Sequence, residues 1–235
     1  MIILLPLEMK QQDQLRGLPL ANLLLIALNV LSFVFLCLFG WSWPVGPGTG
    51  LLSLLLYGFS HAGFWHLLFN MWALWVFGNA VNRRLGNGYY LLGYLGTLLA
   101  LGILARVFSS GPVLGASGAI FAVITIAAML LPAARLVIGY VAVFPLSLLI
   151  GLFRKPKYGI YWFVCGGEFS ARTFWCLIFI PILEILDVVC ALLMGGSAWN
   201  LGHLLGMACG LAFVLLLPQR ISMRTRAAKY GLAGD

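Results

Sequence analysis

Gly111-Pro112-Val113-Leu114-Gly115-Ala116-Ser117-Gly118-Ala119-Ile120-Phe121 decides how this chain is read. Glycine and proline punctuate a turn, an apolar run follows, and one serine stands at the junction. If that run is a helix, Ser117 lies where the first backbone N–H groups have no partner inside the helix. The remaining residues are then asked whether they place a base and hydrogen-bond donors around that hydroxyl.

Composition settles the surroundings. Of 235 residues, 63% are hydrophobic and 9% charged, with mean hydropathy +1.05, whereas soluble domains carry roughly 25% charged residues. Several apolar runs approach the roughly 20 residues that cross the hydrocarbon of a bilayer. An integral membrane protein follows, and the expected fold is an all-α bundle, because helices satisfy their own backbone groups in lipid. The net charge of +8 comes from Lys and Arg between apolar runs and in the tail. That pattern reads as membrane topology and not as nucleic-acid binding. Cys37, Cys165, Cys176, Cys190 and Cys209 are an odd set at unrelated spacings, four of them in apolar runs. They read as small hydrophobes, with no disulfide frame and no metal site. Met1 to Gly17 lacks a positive n-region and carries Glu8, Lys10, Asp13 and Arg16, so a cleaved signal peptide is not expected.

Apolar segments run over 18–39, 63–82, 89–108, 117–131, 173–194 and 199–217, with an ambiguous one at 136–153. Six spans with a cytoplasmic N-terminus put Lys10, Arg16, Arg83, Arg84, Arg135, Arg154, Lys155, Lys157, Arg172, Arg220, Arg224, Arg226 and Lys229 inside, leaving Arg106 near the outer end of span three. Counting 136–153 as a span would move eight of these outside, from Arg154 through Lys229, against the enrichment of basic residues in cytoplasmic loops. The expected organisation is therefore a cytoplasmic segment 1–17, a six-helix domain 18–217 and a basic cytoplasmic tail 218–235. Within the domain, 132–172 forms a cytoplasmic or interfacial insertion.

In this topology spans two, four and six run the same way, so His66, Asn70, Ser117 and His203 sit at similar depth near the outer face. His66 and Asn70, four residues apart, share a helical face. Taken singly, each has a plainer reading. His66 and Asn70 would serve as interhelical hydrogen bonds, while Gly111, Gly115, Gly118 and Ala119, and Gly202 and Gly206 beside His203, would serve close packing. Span four holds only about 15 residues before Pro132, roughly 22 Å, so Ser117 is expected below the outer surface.

Three stretches resemble the rhomboid intramembrane serine proteases. Tyr57-Gly58-Phe59-Ser60-His61-Ala62-Gly63-Phe64-Trp65-His66-Leu67-Leu68-Phe69-Asn70-Met71 is similar to their second-span signature. Val113-Leu114-Gly115-Ala116-Ser117-Gly118-Ala119-Ile120-Phe121 resembles their nucleophile motif, and Gly202-His203-Leu204-Leu205-Gly206-Met207-Ala208-Cys209-Gly210 their last catalytic helix. The resemblance implies a six-helix rhomboid-like bundle and a dyad of Ser117 as nucleophile and His203 as general base, with no acidic third member. It implies an oxyanion site from His66, Asn70 and the Ser117 main-chain N–H, with His61 at the mouth. Gly206 and Gly210 match glycines that let the last helix approach the fourth. Substrates would be transmembrane segments of other proteins, with no cofactor. Some positions depart from the pattern: loop 40–60 has Trp41 and Trp43 but no arginine, Asn82 stands where glutamate is common, and Gly202 replaces an alanine.

The implied chemistry is acyl transfer. Substrate helices should carry Gly, Pro or other helix breakers near the cut, and should enter beside the fifth span and Met194-Gly195-Gly196-Ser197. Glu184 and Asp187 on that span are expected to face a water-filled cavity or to make interhelical bonds. Asp187 as a third catalytic member is an alternative that the resemblance does not favour. Competing functions are a non-catalytic rhomboid-like protein that binds membrane clients, and a channel or transporter. The expected setting is a prokaryotic cytoplasmic membrane, with lipid around the bundle; oligomeric state is not written in the sequence.

Overall fold

A computed structural model describes residues 2–10, 17–153, 163–194 and 201–218. Each of the six apolar runs forms a helix within a few residues of its expected bounds. They are α1 (Leu20–Phe39), α3 (Phe64–Ala73) continuing through a π-helical turn (Leu74–Gly78) into α4 (Asn79–Leu85), α5 (Asn87–Phe108), α6 (Ser117–Leu130), α8 (Cys176–Leu193) and α9 (Leu201–Leu216). Between α1 and α3 the loop carries a single-turn α2 (Ser53–Leu56) and a 3₁₀ turn (Tyr57–Phe59); another 3₁₀ turn, Thr173–Trp175, leads into α8. Leu20–Phe39, Asn87–Phe108 and Thr173–Leu193 are long and apolar enough to cross a membrane, and α6 and α9 are shorter apolar helices. Leu24, Leu31 and Phe35 on α1 and Leu92, Leu99 and Ile103 on α5 point outward. This is the exposed apolar surface of an integral membrane protein.

The fold is not all helical. Residues 2–10 form β1 (Ile2–Lys10), which pairs antiparallel with β2 (Arg135–Val143), and β2 pairs antiparallel with β3 (Val164–Arg172). The ambiguous run 136–153 is thus strand β2 followed by α7 (Leu146–Phe153), a helix of eight residues that at 1.5 Å per residue is far too short to span a bilayer. Val137, Ile138, Tyr140, Val141 and Val143 are strand-favouring side chains, and a short apolar run does not distinguish strand from buried helix. β1 is a less obvious strand, because its partner lies some 130 positions away and Pro6 cannot donate to a ladder. The register accordingly slips between Pro6 and Glu8. The N-terminal segment and the insertion therefore make one sheet, which touches the bundle where Trp72 Nε1 donates to the Pro6 carbonyl at 2.6 Å.

α6 lies at the centre of the bundle. Ala119, Ile120, Ala122 to Ala128 and Leu130 are all buried, as a helix apolar on every side requires. Its most extensive partner is α9. A Cβ at Gly206 would lie 2.0 Å from the Gly118 carbonyl oxygen, and one at Gly210 would lie 2.5 Å from that of Ala122. Pairing four-residue steps in the same order means that α9 runs parallel to α6 with backbones nearly touching, an approach that only small residues permit.

A second framework ties α1 to α3–α5. Asn22 Nδ2 donates to the Leu74 carbonyl and to Asn79 Oδ1, Tyr90 Oη donates to Asn22 Oδ1, and the Asn22 N–H donates to Asn82 Oδ1. Asn82 in turn donates to Asn87. The Leu74 carbonyl opens the π turn, a distortion that an inserted side chain stabilises. Asn82, departing from the glutamate of the resembling family, is thus a buried member of an amide network. Loop 40–60 also obtains an arginine from elsewhere: Arg106, at the end of α5, donates to the Thr49 carbonyl.

Candidate active site at the start of the central helix

Ser117 is the first residue of α6 and is half-buried, between the fully buried Ala116 and Ala119. The loop that delivers it is pinned on both sides. Val113 exchanges backbone hydrogen bonds with Val45, and the Gly115 N–H donates to the Tyr57 carbonyl at 2.9 Å. Gly115 has φ +113°, where a side chain would be strained. A Cβ there would also meet His66 Cε1 at 2.7 Å and Nε2 at 3.0 Å. Gly115 is therefore what lets the His66 ring lie against the backbone leading into Ser117.

His66 and Asn70 come from successive turns of α3, as their spacing requires. The Ala62 N–H approaches His66 Nδ1 at 3.4 Å. Occupying Nδ1 as an acceptor leaves the proton on Nε2, the nitrogen beside Gly115. Asn70 is buried, and its Nδ2 has no hydrogen-bond partner among the described residues. A buried amide donor left unpaired costs about 1–3 kcal/mol, so its presence beside the His66 face asks for an acceptor that arrives from outside the fold. His61 is fully buried at 1% exposure, with its ring edge-on to His66 at a centroid distance of 5.1 Å. Burial, with His66 beside it, holds His61 down to about 4, so it is neutral near pH 7. The resemblance implies a place for His61 at the mouth of the site; in the fold its ring is buried against His66.

His203 enters from α9. The Gly202 carbonyl lies against Gly118, with 3.4 Å to the Cβ that position would carry. The His203 ring stacks on Phe121 at 4.1 Å with an 11° interplanar angle. Phe121 is one turn below Ser117 on the same face of α6, so ring and hydroxyl share one end of the seam. The seam glycines and the stack, not a chain-local motif, place the His203 ring at the end of the seam where α6 begins.

The polar contact of the His203 ring was not expected from the sequence in this form. His203 Nδ1 and Glu184 Oε2 on α8 are 3.0 Å apart. The carboxylate that meets His203 is therefore Glu184, three residues before Asp187, and it makes the interhelical bond that was one of the expected roles. Phe121 was missed as a ring platform, although its i+4 spacing from Ser117 was the available signal. Met194 is described and exposed, while Gly195-Gly196-Ser197 and the basic residues after Pro218 lie outside the described residues.

The Rhomboid domain matches residues 49–162. Rhomboid protease GluP of Bacillus subtilis is 38% identical over 138 residues, which cover 50% of this chain and 27% of that protein. Rhomboid protein 1, mitochondrial, of Saccharomyces cerevisiae is 37% identical over 97 residues, covering 38% and 28% respectively. Rhomboid protease GlpG of Enterobacter sp. is 29% identical over 200 residues, covering 81% of this chain and 60% of the relative. The chain thus spans about a quarter of the length of the first two relatives.

Proposed function

We propose that this chain, which belongs to the rhomboid family, is an intramembrane serine endopeptidase that cuts transmembrane segments of other proteins. The observation that carries the reading is the convergence on one end of the α6–α9 seam. His203 stacks one turn below Ser117, His66 lies on the Gly115 backbone, and the Asn70 amide is buried with a donor that has no partner among the described residues. No plain packing role needs all of these together.

In this reading His203 Nδ1 is occupied by Glu184, which leaves Nε2 to take the Ser117 proton. The Ser117 oxygen bonds to the scissile carbonyl carbon, and the carbonyl oxygen becomes an oxyanion. The Ser117 N–H at the helix start, Asn70 Nδ2 and His66 Nε2 are the donors that would receive it. Collapse breaks the C–N bond, and the amine leaves with the proton held on His203. Water then repeats the sequence against the acyl-enzyme and returns Ser117 to its hydroxyl. His66 and Asn70 thus hold charge, His203 moves the proton, and Gly206 and Gly210 set the distance between nucleophile and base.

The wider reading is a six-span bundle with both termini cytoplasmic, in a prokaryotic cytoplasmic membrane, with 1–17, 132–172 and 218–235 on the cytoplasmic side. Its support is charge placement. Lys10, Arg135 and Arg172 stand in one cross-strand row of the sheet, and Arg83 and Arg84 end α4. Substrate would enter beside α8, none of whose side chains is fully buried, and a helix breaker would expose the scissile carbonyl.

The test is cleavage of a model transmembrane segment carrying a central glycine, co-reconstituted with the protein in liposomes. Cutting by the parent and none by Ser117→Ala or His203→Ala supports the reading. Intact substrate with the parent, but stable capture of it, would instead identify the client-binding alternative.

A further inference from the structure

We infer that Glu184 is a positioning residue for His203, making the working unit of this protein a serine, histidine and glutamate drawn from three helices. The inference rests on the protease reading above and deepens it. In the family that the chain resembles, the expectation is a dyad. Here the carboxylate of Glu184 on α8 stands 3.0 Å from His203 Nδ1, and the two side chains are only 14% and 23% exposed. Sequestered from solvent, such a contact is stronger than the same pair in water.

An imidazole has one proton to place when neutral, and the hydrogen bond at one nitrogen decides which nitrogen keeps it. A carboxylate is an acceptor only. Facing Glu184, His203 keeps its proton on Nδ1 and donates it to Oε2, so Nε2 carries the lone pair. That is the tautomer able to accept a proton from Ser117. Phe121 fixes the plane of the ring from one face, but a stack leaves the ring free to turn in its own plane. Glu184 removes that freedom. Once Nε2 is protonated, the same carboxylate faces an imidazolium and stabilises it. Glu184 does not touch substrate in this scheme; it acts through His203.

Other titratable side chains lie on the same helices and on α3. His66, on α3, meets the Ala62 N–H through Nδ1. Asp187 is three residues further along α8, on an exposed position. Cys209 lies nearly two turns along α9 from His203. Glu184 presents an acceptor within hydrogen-bond distance of His203 Nδ1.

The test compares Glu184→Gln, Glu184→Ala and Glu184→Asp with the parent, with kcat and KM read separately on the reconstituted transmembrane substrate. Gln keeps the shape but can donate from its amide into Nδ1, which places the proton on Nε2 and blocks the base. The expected result is a kcat lower by roughly 10²-fold or more in Gln and Ala, of the order that a positioned general base contributes. KM should move by less than about threefold. Asp, an acceptor on a shorter arm, should recover at least tenfold of the loss. In parallel, ¹⁵N NMR of histidine-labelled protein reports the tautomer directly. The chain has three histidines, and the His203 signal is the one lost in His203→Ala. Nδ1–H in the parent, shifting toward Nε2–H in Glu184→Gln, supports the positioning role. An active parent whose kcat is unchanged within twofold in both Gln and Ala would overturn it, and so would an unchanged tautomer in Glu184→Gln. A parent that cleaves nothing yet shows the Nδ1–H tautomer lost in Gln would defeat the protease reading while leaving the contact as inferred.

Discussion

Two of the helices that meet α9, α6 and α8, do so in opposite ways. α6 meets it backbone to backbone, through Gly118, Ala122, Gly206 and Gly210, with no room for a methyl group at either α9 glycine. α8 meets the same helix with a side-chain bond between Glu184 and His203 and has no fully buried residue. The first contact is steric and fixed: it can be lost but not adjusted. The second is polar and directional, on a helix that can shift without tearing out a core. The helices that carry Ser117 and His203 are thus held together by shape, while the His203 ring meets a polar contact from a looser neighbour.

Substitutions can break or sharpen that contrast. The largest effect belongs to the seam. Gly206→Ala should cost at the upper end of, or beyond, the roughly 1–3 kcal/mol of ordinary overpacking, because the clashing atom is the Gly118 backbone oxygen rather than a side chain that can turn away. Both thermal stability in detergent and covalent labelling of Ser117 should collapse together; a protein of parent stability would show that the seam is not tight. Next is Asn70→Ala, which removes a buried donor without disturbing either contact with α9. It should lower kcat by about 10²- to 10³-fold and leave the melting temperature near the parent's, since Asn70 Nδ2 has no partner to lose among the described residues. A loss of stability with unchanged kcat would return Asn70 to a packing role. Asn22→Ala, in the amide network away from the seam, should show the reverse. It should lose about 1–3 kcal/mol of stability by orphaning the Leu74 carbonyl, Asn79 Oδ1 and the Tyr90 hydroxyl, with labelling retained at temperatures where the protein is folded. The smallest effects test the boundaries of the rigid side. Gly202→Ala, where an added Cβ meets nothing within 4 Å, and Leu186→Ala on the outer face of α8 should both stay within about 0.5 kcal/mol of the parent. A large loss at Gly202 would extend the seam by one turn.

What the sequence revealed follows the same division. Steric features repeat at short spacing and were legible: the helix bounds, the α9 glycines Gly206 and Gly210, and the shared face of His66 and Asn70 are all local patterns. Features that depend on distant partners were not. β1 looked like a polar-flanked N-terminal segment because its ladder forms with residues 135–143, and apolar run length alone made 136–153 ambiguous between strand and helix. The amide network was hidden because Asn22, Asn79, Asn82 and Asn87 look unrelated until α1 packs against α3–α5. Glu184 and Asp187 show the limit most clearly. Both are charges in an apolar span, where they are costly, and the sequence offers either as a partner for a neighbouring helix. Three residues separate them, and only the rotation of α8 about its axis, set by packing and not by its own sequence, turns Glu184 to the histidine. Arg106 was noted as an outlying charge, and its meaning came only with Thr49 beside it.

The central claim is that Ser117 is a nucleophile activated by His203. Reaction of the detergent-purified protein with a fluorophosphonate, followed by peptide mass spectrometry, tests it most directly. The account predicts a single phosphonyl adduct on Ser117 in the parent, and none in Ser117→Ala or His203→Ala under the same conditions. An adduct on Ser117 that forms at the parent rate in His203→Ala, or a parent protein that carries its adduct elsewhere, would contradict it.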